Sequence, residues 1–150
     1  MPEWIAVFIS SWLMFFILVD KSRLKYTILG GITAMILQLI VDTGASGIGL
    51  YSVKSGYKLG GGSALFTFGA VLTMGILFVQ YIPKNRWLKV AHIIVTATLF
   101  LGMEYLLVQR NLIIYTHWGM GPSWFTNILV FITITWVAQT IGVTSKQVSS

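Results

Sequence analysis

The chain contains no cysteine, which excludes disulfides, thiolate metal sites and cysteine nucleophiles. Charge is nearly as scarce. Charged residues make up 9% of the 150, where a soluble domain carries roughly 25%. Only Glu3, Asp20, Asp42 and Glu104 are acidic. A soluble fold cannot cover its surface with so few charges, so lipid must be the solvent for most of this one. Enzyme motifs are missing as well: there is no HExxH, GxSxG, GxGD-like pair or DxxD. The start, MPEWIAVF, lacks the basic region of a cleavable signal peptide, so the first apolar run is expected to stay in the membrane.

What is present is 56% hydrophobic residues in long runs. Five runs read as spans, over about residues 4–19, 26–50, 63–82, 87–109 and 124–142. The expectation is an all-α fold: one domain over residues 1–150, an integral membrane bundle of five transmembrane helices, with no internal repeat. Trp4 is expected in an interfacial belt, as are Ile113, Ile114, Tyr115 and Trp118. Glycines 44, 47 and 49 follow Asp42, and each weakens a helix by about 1 kcal/mol relative to alanine, so the second helix is expected to break or thin there. Gly30 and Ala34, four apart, suit close helix packing. Residues 51–62 read as a polar loop. Its triplet Gly60 to Gly62 lacks P-loop spacing and reads as a flexible connector.

The net charge of +6 would suggest nucleic acid in a soluble protein. Here the basic residues stand in short clusters between apolar runs, the pattern of topology signals and headgroup contacts. The expected partner is the bilayer, not nucleic acid. Lys21, Arg23, Lys25, Lys84, Arg86, Lys89 and Lys146 fall on one side; Lys54, Lys58 and Arg110 fall on the other. By the positive-inside rule the N-terminus lies outside and the C-terminus in the cytoplasm.

The run 87–109 organises the rest, because Glu104 lies inside it. A carboxylate at that depth is costly unless protonated, paired or facing water, and intramembrane acids are functional candidates by default. Asp42 lies at a similar level in the second run. Gln38 precedes it by one turn and faces the same way. Asn127 stands near the start of the last run, with Arg110, His117, Tyr115 and Trp118 in the adjoining loop. These eight residues form the candidate ligand-binding set, in an outward-facing polar pocket. Glu104 and Asp42 would take a cation or accept hydrogen bonds. Arg110 and His117 would meet an anionic group, and Tyr115 and Trp118 would form a wall. Two carboxylates and a histidine could hold a divalent metal, but they come from separate segments and spacing gives no support. His92 reads as bonded to a backbone carbonyl or water.

The segment PKNRWLKVAHIIVTATLFLGMEYLLVQRNLIIYTHWGMGPSWFTNILVF resembles a family of small, uncharacterised multi-pass membrane proteins of spore-forming Gram-positive bacteria. The likeness lies in a glutamate late in one helix, then G/N-x-I-x-Y-x-x-W in a loop, then a final span. Here these are Glu104, Asn111 to Trp118, and Trp124 onward. The resemblance implies a bacterial plasma membrane and draws attention to Glu104, Tyr115 and Trp118. It supplies no activity to carry over and leaves any cofactor unknown.

Three functions fit. The first is binding of a small ligand or lipid headgroup from outside, as a transporter or accessory subunit working as a homodimer or with a larger membrane partner. The second is a structural or assembly subunit with no ligand. The third is a membrane enzyme acting on a lipid or isoprenoid, with Glu104 as acid or base.

Overall fold

The computed structural model of the chain describes residues 2–55 and 57–141. It is all-helical apart from four short strands. The helices are α1 (Pro2–Leu18), α2 (Leu24–Gly47), α3 (Ala64–Gln80), α4 (Arg86–Gln109) and α5 (Met120–Thr140). The strands are β1 (Tyr51–Val53), β2 (Lys58–Leu59), β3 (Gly62–Ser63) and β4 (Ile113–Tyr115). Among the described residues, three helices are long and apolar enough to cross a membrane: α2 with the short turn Lys21–Arg23 before it, α4 and α5. The other two, α1 and α3, are shorter apolar helices. Large apolar side chains such as Ile17, Leu99, Phe125 and Trp136 point outward, as a lipid-solvated surface requires. The expected end of the last span at Gly142, and the tail with Lys146, lie outside the described residues.

The expected break beside Asp42 is absent: α2 continues through Gly44 to Gly47. An unpaired backbone group in an apolar medium costs several kcal/mol, against about 1 kcal/mol for a helical glycine, so the helix persists. It stops where Gly49 takes a left-handed φ of 77°. There Leu50 N–H donates to Ala45 C=O and Gly49 N–H to Ser46 C=O, the two bonds of a Schellman cap. The fifth helix begins at Met120, earlier than expected, because Pro122 fits its first turn, where no intrahelical donor is required.

Contrary to expectation, the architecture repeats. Adding 62 to the numbers of α1 gives α3, and adding 62 to those of α2 gives α4. The caps repeat too. In α4, Leu112 N–H donates to Leu107 C=O and Asn111 N–H to Val108 C=O, and Asn111 has φ 58°. After each cap comes a three-residue strand, and β1 and β4 pair antiparallel about Ser52 and Ile114, themselves 62 apart. The flanking bonds are equivalent as well: Lys54 N–H donates to Leu112 C=O, and Thr116 N–H to Leu50 C=O. The chain is thus a direct repeat of helix, helix and strand, with α5 added. An even number of helices per unit returns each copy to the same orientation.

Packing is closest where α2 crosses α3. A Cβ on Gly75 would stand 2.7 Å from Ala34 Cβ and 2.9 Å from Gly31 Cα. The Gly30–Ala34 pair thus lies at a helix crossing, where small residues let backbones meet. Within α3, residues Thr67–Val71 form a wider π turn, and Gly69 seats against Phe8 of α1. Thr73 Oγ1 donates to Gly69 C=O at 2.7 Å, supplying a donor to that turn. At the opposite end of the bundle from the ribbon, His92 stacks on Phe78 and its Nε2 lies 3.0 Å from Phe78 C=O, the backbone partner expected for it.

Candidate functional site

The paired strands β1 and β4 form a roof where α2 and α4 end. Alternation along a strand sends residues 51 and 53 to one face, and their partners 115 and 113 to the same face. Tyr51 and Tyr115 stand directly opposite each other, ring centroids 6.4 Å apart. Each reaches an acid of the helix before its own strand. Tyr51 Oη donates to Asp42 Oδ1 at 2.5 Å, and Tyr115 Oη to Glu104 Oε1 at 2.6 Å. Asp42 and Glu104 are themselves 62 apart, equivalent positions of the repeat.

Each carboxyl has a further donor. Gln38 Nε2 lies 3.0 Å from both Asp42 oxygens, so the one-turn spacing does bring these side chains together. Ser123 Oγ, in the first turn of α5, donates to Glu104 Oε2 at 2.5 Å. Burial first, then the charge of Asp42, its hydrogen bond and the more distant charge of Glu104, raises the Tyr51 phenol well above its usual range. Burial first, then its bond to Glu104 and that group's charge, raises Tyr115. Both phenols therefore keep their protons and remain donors.

The glycine triplet is not a loose connector. Gly60, at φ 61°, turns the short β2–β3 hairpin. A Cβ on Gly61 would collide with Asp42 C=O and Ser46 Oγ, and one on Gly62 with Asp42 Oδ2. The triplet lets backbone lie on the Asp42 face of α2. The loop Arg110 to Ser123 is likewise turned inward: Ile113 is buried, Tyr115 holds Glu104 and Trp118 packs 6.1 Å from Tyr51. Trp4, expected in an interfacial belt, is 1% exposed and donates from Nε1 to Lys54 C=O, tying α1 to the roof.

Beneath the roof is a cavity of about 70 Å³, counted as space open to the centre of a water molecule. Roughly 10–15 Å³ on that measure holds one water, so there is room for several waters or a small ligand. Asp42, Glu104, Gln38, Asn127 and Trp118 of the candidate set line it. Tyr115 belongs to it through its bond to Glu104. Arg110 and His117 are exposed and do not line it, so the structure does not bring them to the acids. His117 is engaged instead through its backbone N–H, which donates to Leu50 C=O. Asn127 Nδ2 is buried with no hydrogen-bond partner among the described residues. Trp4, Phe66, Phe100 and Phe131 supply aromatic wall. Among the described residues no three of His, Asp and Glu come together as metal ligands.

Sequence reasoning passed over Tyr51, Ser123 and Trp4. The signal for Tyr51 was the matching spacing of an acid, a helix stop and a strand in two places. For Ser123 and Trp4 no local signal exists, since their partners lie 19 and 50 residues away.

No protein-family model matches the chain, and no curated protein or solved structure matches it.

Proposed function

We propose that the chain is a five-span plasma-membrane protein, N-terminus outside and C-terminus cytoplasmic, whose cavity binds a small ligand from the outer side. It would serve as a transporter component or accessory subunit, akin to the small membrane proteins of spore-forming Gram-positive bacteria that its sequence resembles. The helices α1 and α3, each covering 17 positions, are at the short limit for a span, about 17–25 residues. They suit a bundle whose ribbon end is closed by protein instead of lipid. The basic clusters around Lys21–Lys25 and Lys84–Lys89 then face the cytoplasm, and the ribbon faces out.

One observation carries the binding reading. Two intramembrane acids, 62 residues apart, converge on a single cavity beneath a roof built from both loops. A merely structural acid needs a partner, not a cavity; these have both.

The native chain lacks cysteine, which makes labelling clean. A single cysteine at Ser55 reacts with an impermeant reagent added outside, and one at Ser22 does not. A cysteine at Asn127 reacts with small neutral methyl methanethiosulfonate in intact cells. Failure at Asn127 in a folded protein means a sealed, dry core and ends the binding reading in favour of an assembly subunit.

A further inference from the structure

The cavity's ligand class can be narrowed, and the inference rests on the binding reading above. We propose that the site takes a small organic cation bearing N–H donors, an alkylammonium, held between Asp42 and Glu104 against the aromatic wall.

The argument is one of unbalanced groups. Two carboxyls line the cavity, and among the described residues no lysine, arginine or histidine does. An anionic ligand would enter with no counter-charge. Arg110 and His117, the groups that could have met one, sit on the exposed surface outside the lining. A carboxylate offers about four lone-pair directions. Among the described residues, the hydrogen bonds to Glu104 come from Tyr115 and Ser123, and those to Asp42 from Tyr51 and, on both oxygens, Gln38. Acceptor capacity is left over at both acids, and an ammonium group supplies donors without adding acceptors.

The remaining walls fit the same ligand. Trp4 and Phe66 are equivalent by the 62-residue repeat and meet edge to face at 6.2 Å. Phe100 follows Phe66 at 5.5 Å. Tyr51 and Trp118 close the ribbon side. A cation over such rings is attracted by their negative faces, and its alkyl part gains apolar contact that a hydrated metal ion cannot use. Asn127 Nδ2, buried and without a partner among the described residues, lines the same cavity, so a hydroxyl or ether on the ligand has a place to accept. The repeat gives each half of the molecule one of the two lining acids, so the cation meets a carboxyl from each half, while strand pairing and not the repeat matches Tyr51 with Tyr115.

The test uses the purified full-length protein in detergent at constant ionic strength. Butylammonium, 1-butanol, butyrate and sodium ion are titrated against tryptophan fluorescence and thermal unfolding. Saturable binding of butylammonium is expected, at least tenfold tighter than that of 1-butanol, with no saturable response to sodium or butyrate. Asp42→Asn and Glu104→Gln should each weaken butylammonium at least tenfold and leave 1-butanol unchanged. The isosteric Asp20→Asn variant, which removes an exposed carboxyl outside the lining, controls for net charge and handling. Equal binding of butylammonium and 1-butanol, or a matching sodium response, overturns the cation assignment while the cavity stands. No saturable response to any probe, with unreactive Asn127→Cys, overturns the binding reading itself. No response to any probe with reactive Asn127→Cys overturns the ammonium proposal alone.

Discussion

Tyr51 and Tyr115 face each other across a two-stranded ribbon, and each gives its phenolic hydrogen to a carboxyl in the helix that precedes its own strand. That relationship joins the two loops, the two long helices and the two acids they carry into one unit. It also makes the roof and the acids interdependent, which mutation can measure.

Removing one hydroxyl leaves a buried carboxyl short of a donor. Tyr51→Phe should destabilise by about 1–3 kcal/mol, the usual cost of leaving a buried polar group unsatisfied. The cost should shrink when Asp42→Asn is already present. Equilibrium unfolding of the four members of that double-mutant cycle is the check. Strict additivity would mean the hydroxyl and the carboxyl do not interact.

The phenols also set an alkaline limit. Both are raised above a reference value of 10.0, so the folded state holds their protons where the unfolded chain gives them up. Their contribution is fully present below that reference and is lost as pH rises above it. The slope is at most about 1.4 kcal/mol per pH unit per group. Stability of the wild type should fall above pH 10 more steeply than that of Tyr51→Phe/Tyr115→Phe. A spectrophotometric tyrosine titration should show a late fraction that the double variant lacks.

The glycines divide by surroundings. Gly75→Ala forces a Cβ into Ala34 and Gly31 at the α2–α3 crossing, where overpacking costs typically about 1–3 kcal/mol. Gly62→Ala drives one into the Asp42 carboxyl and should be comparably damaging. Gly44→Ala meets open space on a continuous helix and should be neutral, or stabilising by up to about 1 kcal/mol. Thermal unfolding of the three variants orders them.

The two helix stops offer a matched pair. Gly49→Ala places a side chain at φ 77° and should cost about 1–2 kcal/mol. Asn111→Gly, at φ 58° in the equivalent position, should be tolerated, and the same unfolding assay compares the two.

How far these features were legible depended on range. Apolar run length was enough to locate the helices within a few residues, because lipid imposes length directly. The acids stood out for the same reason: a charge inside an apolar run has no bland surface to occupy. That Gln38 and Asp42 share one helix face followed from spacing alone; the bond between them came from the structure. The ribbon did not, because β1 and β4 are three residues each and their loops had read as polar or interfacial. Nor did the repeat. At an offset of 62 only Phe16/Phe78, Ile32/Ile94, Leu37/Leu99, Leu39/Leu101 and Leu50/Leu112 are identical between the two units. Lipid-facing apolar residues interchange freely, so equivalence survives in element lengths and caps more than in letters. Glycines were misread for a related reason. Propensity suggested a break after Asp42, whereas the need to pair backbone in lipid keeps α2 whole and assigns Gly60 to Gly62 to close approach.

The central proposal is that Asp42 and Glu104 polarise the cavity they line and that reagents can reach it. The most direct measurement compares the reaction rates of a cysteine at Asn127 with 2-aminoethyl and 2-hydroxyethyl methanethiosulfonate. Their ratio, divided by the same ratio for a free thiol, reports the field in the cavity. The account predicts a normalised preference for the cationic reagent of at least tenfold, collapsing toward one in the Asp42→Asn/Glu104→Gln background. A ratio near one with both acids in place, or a preference indifferent to their removal, would contradict it.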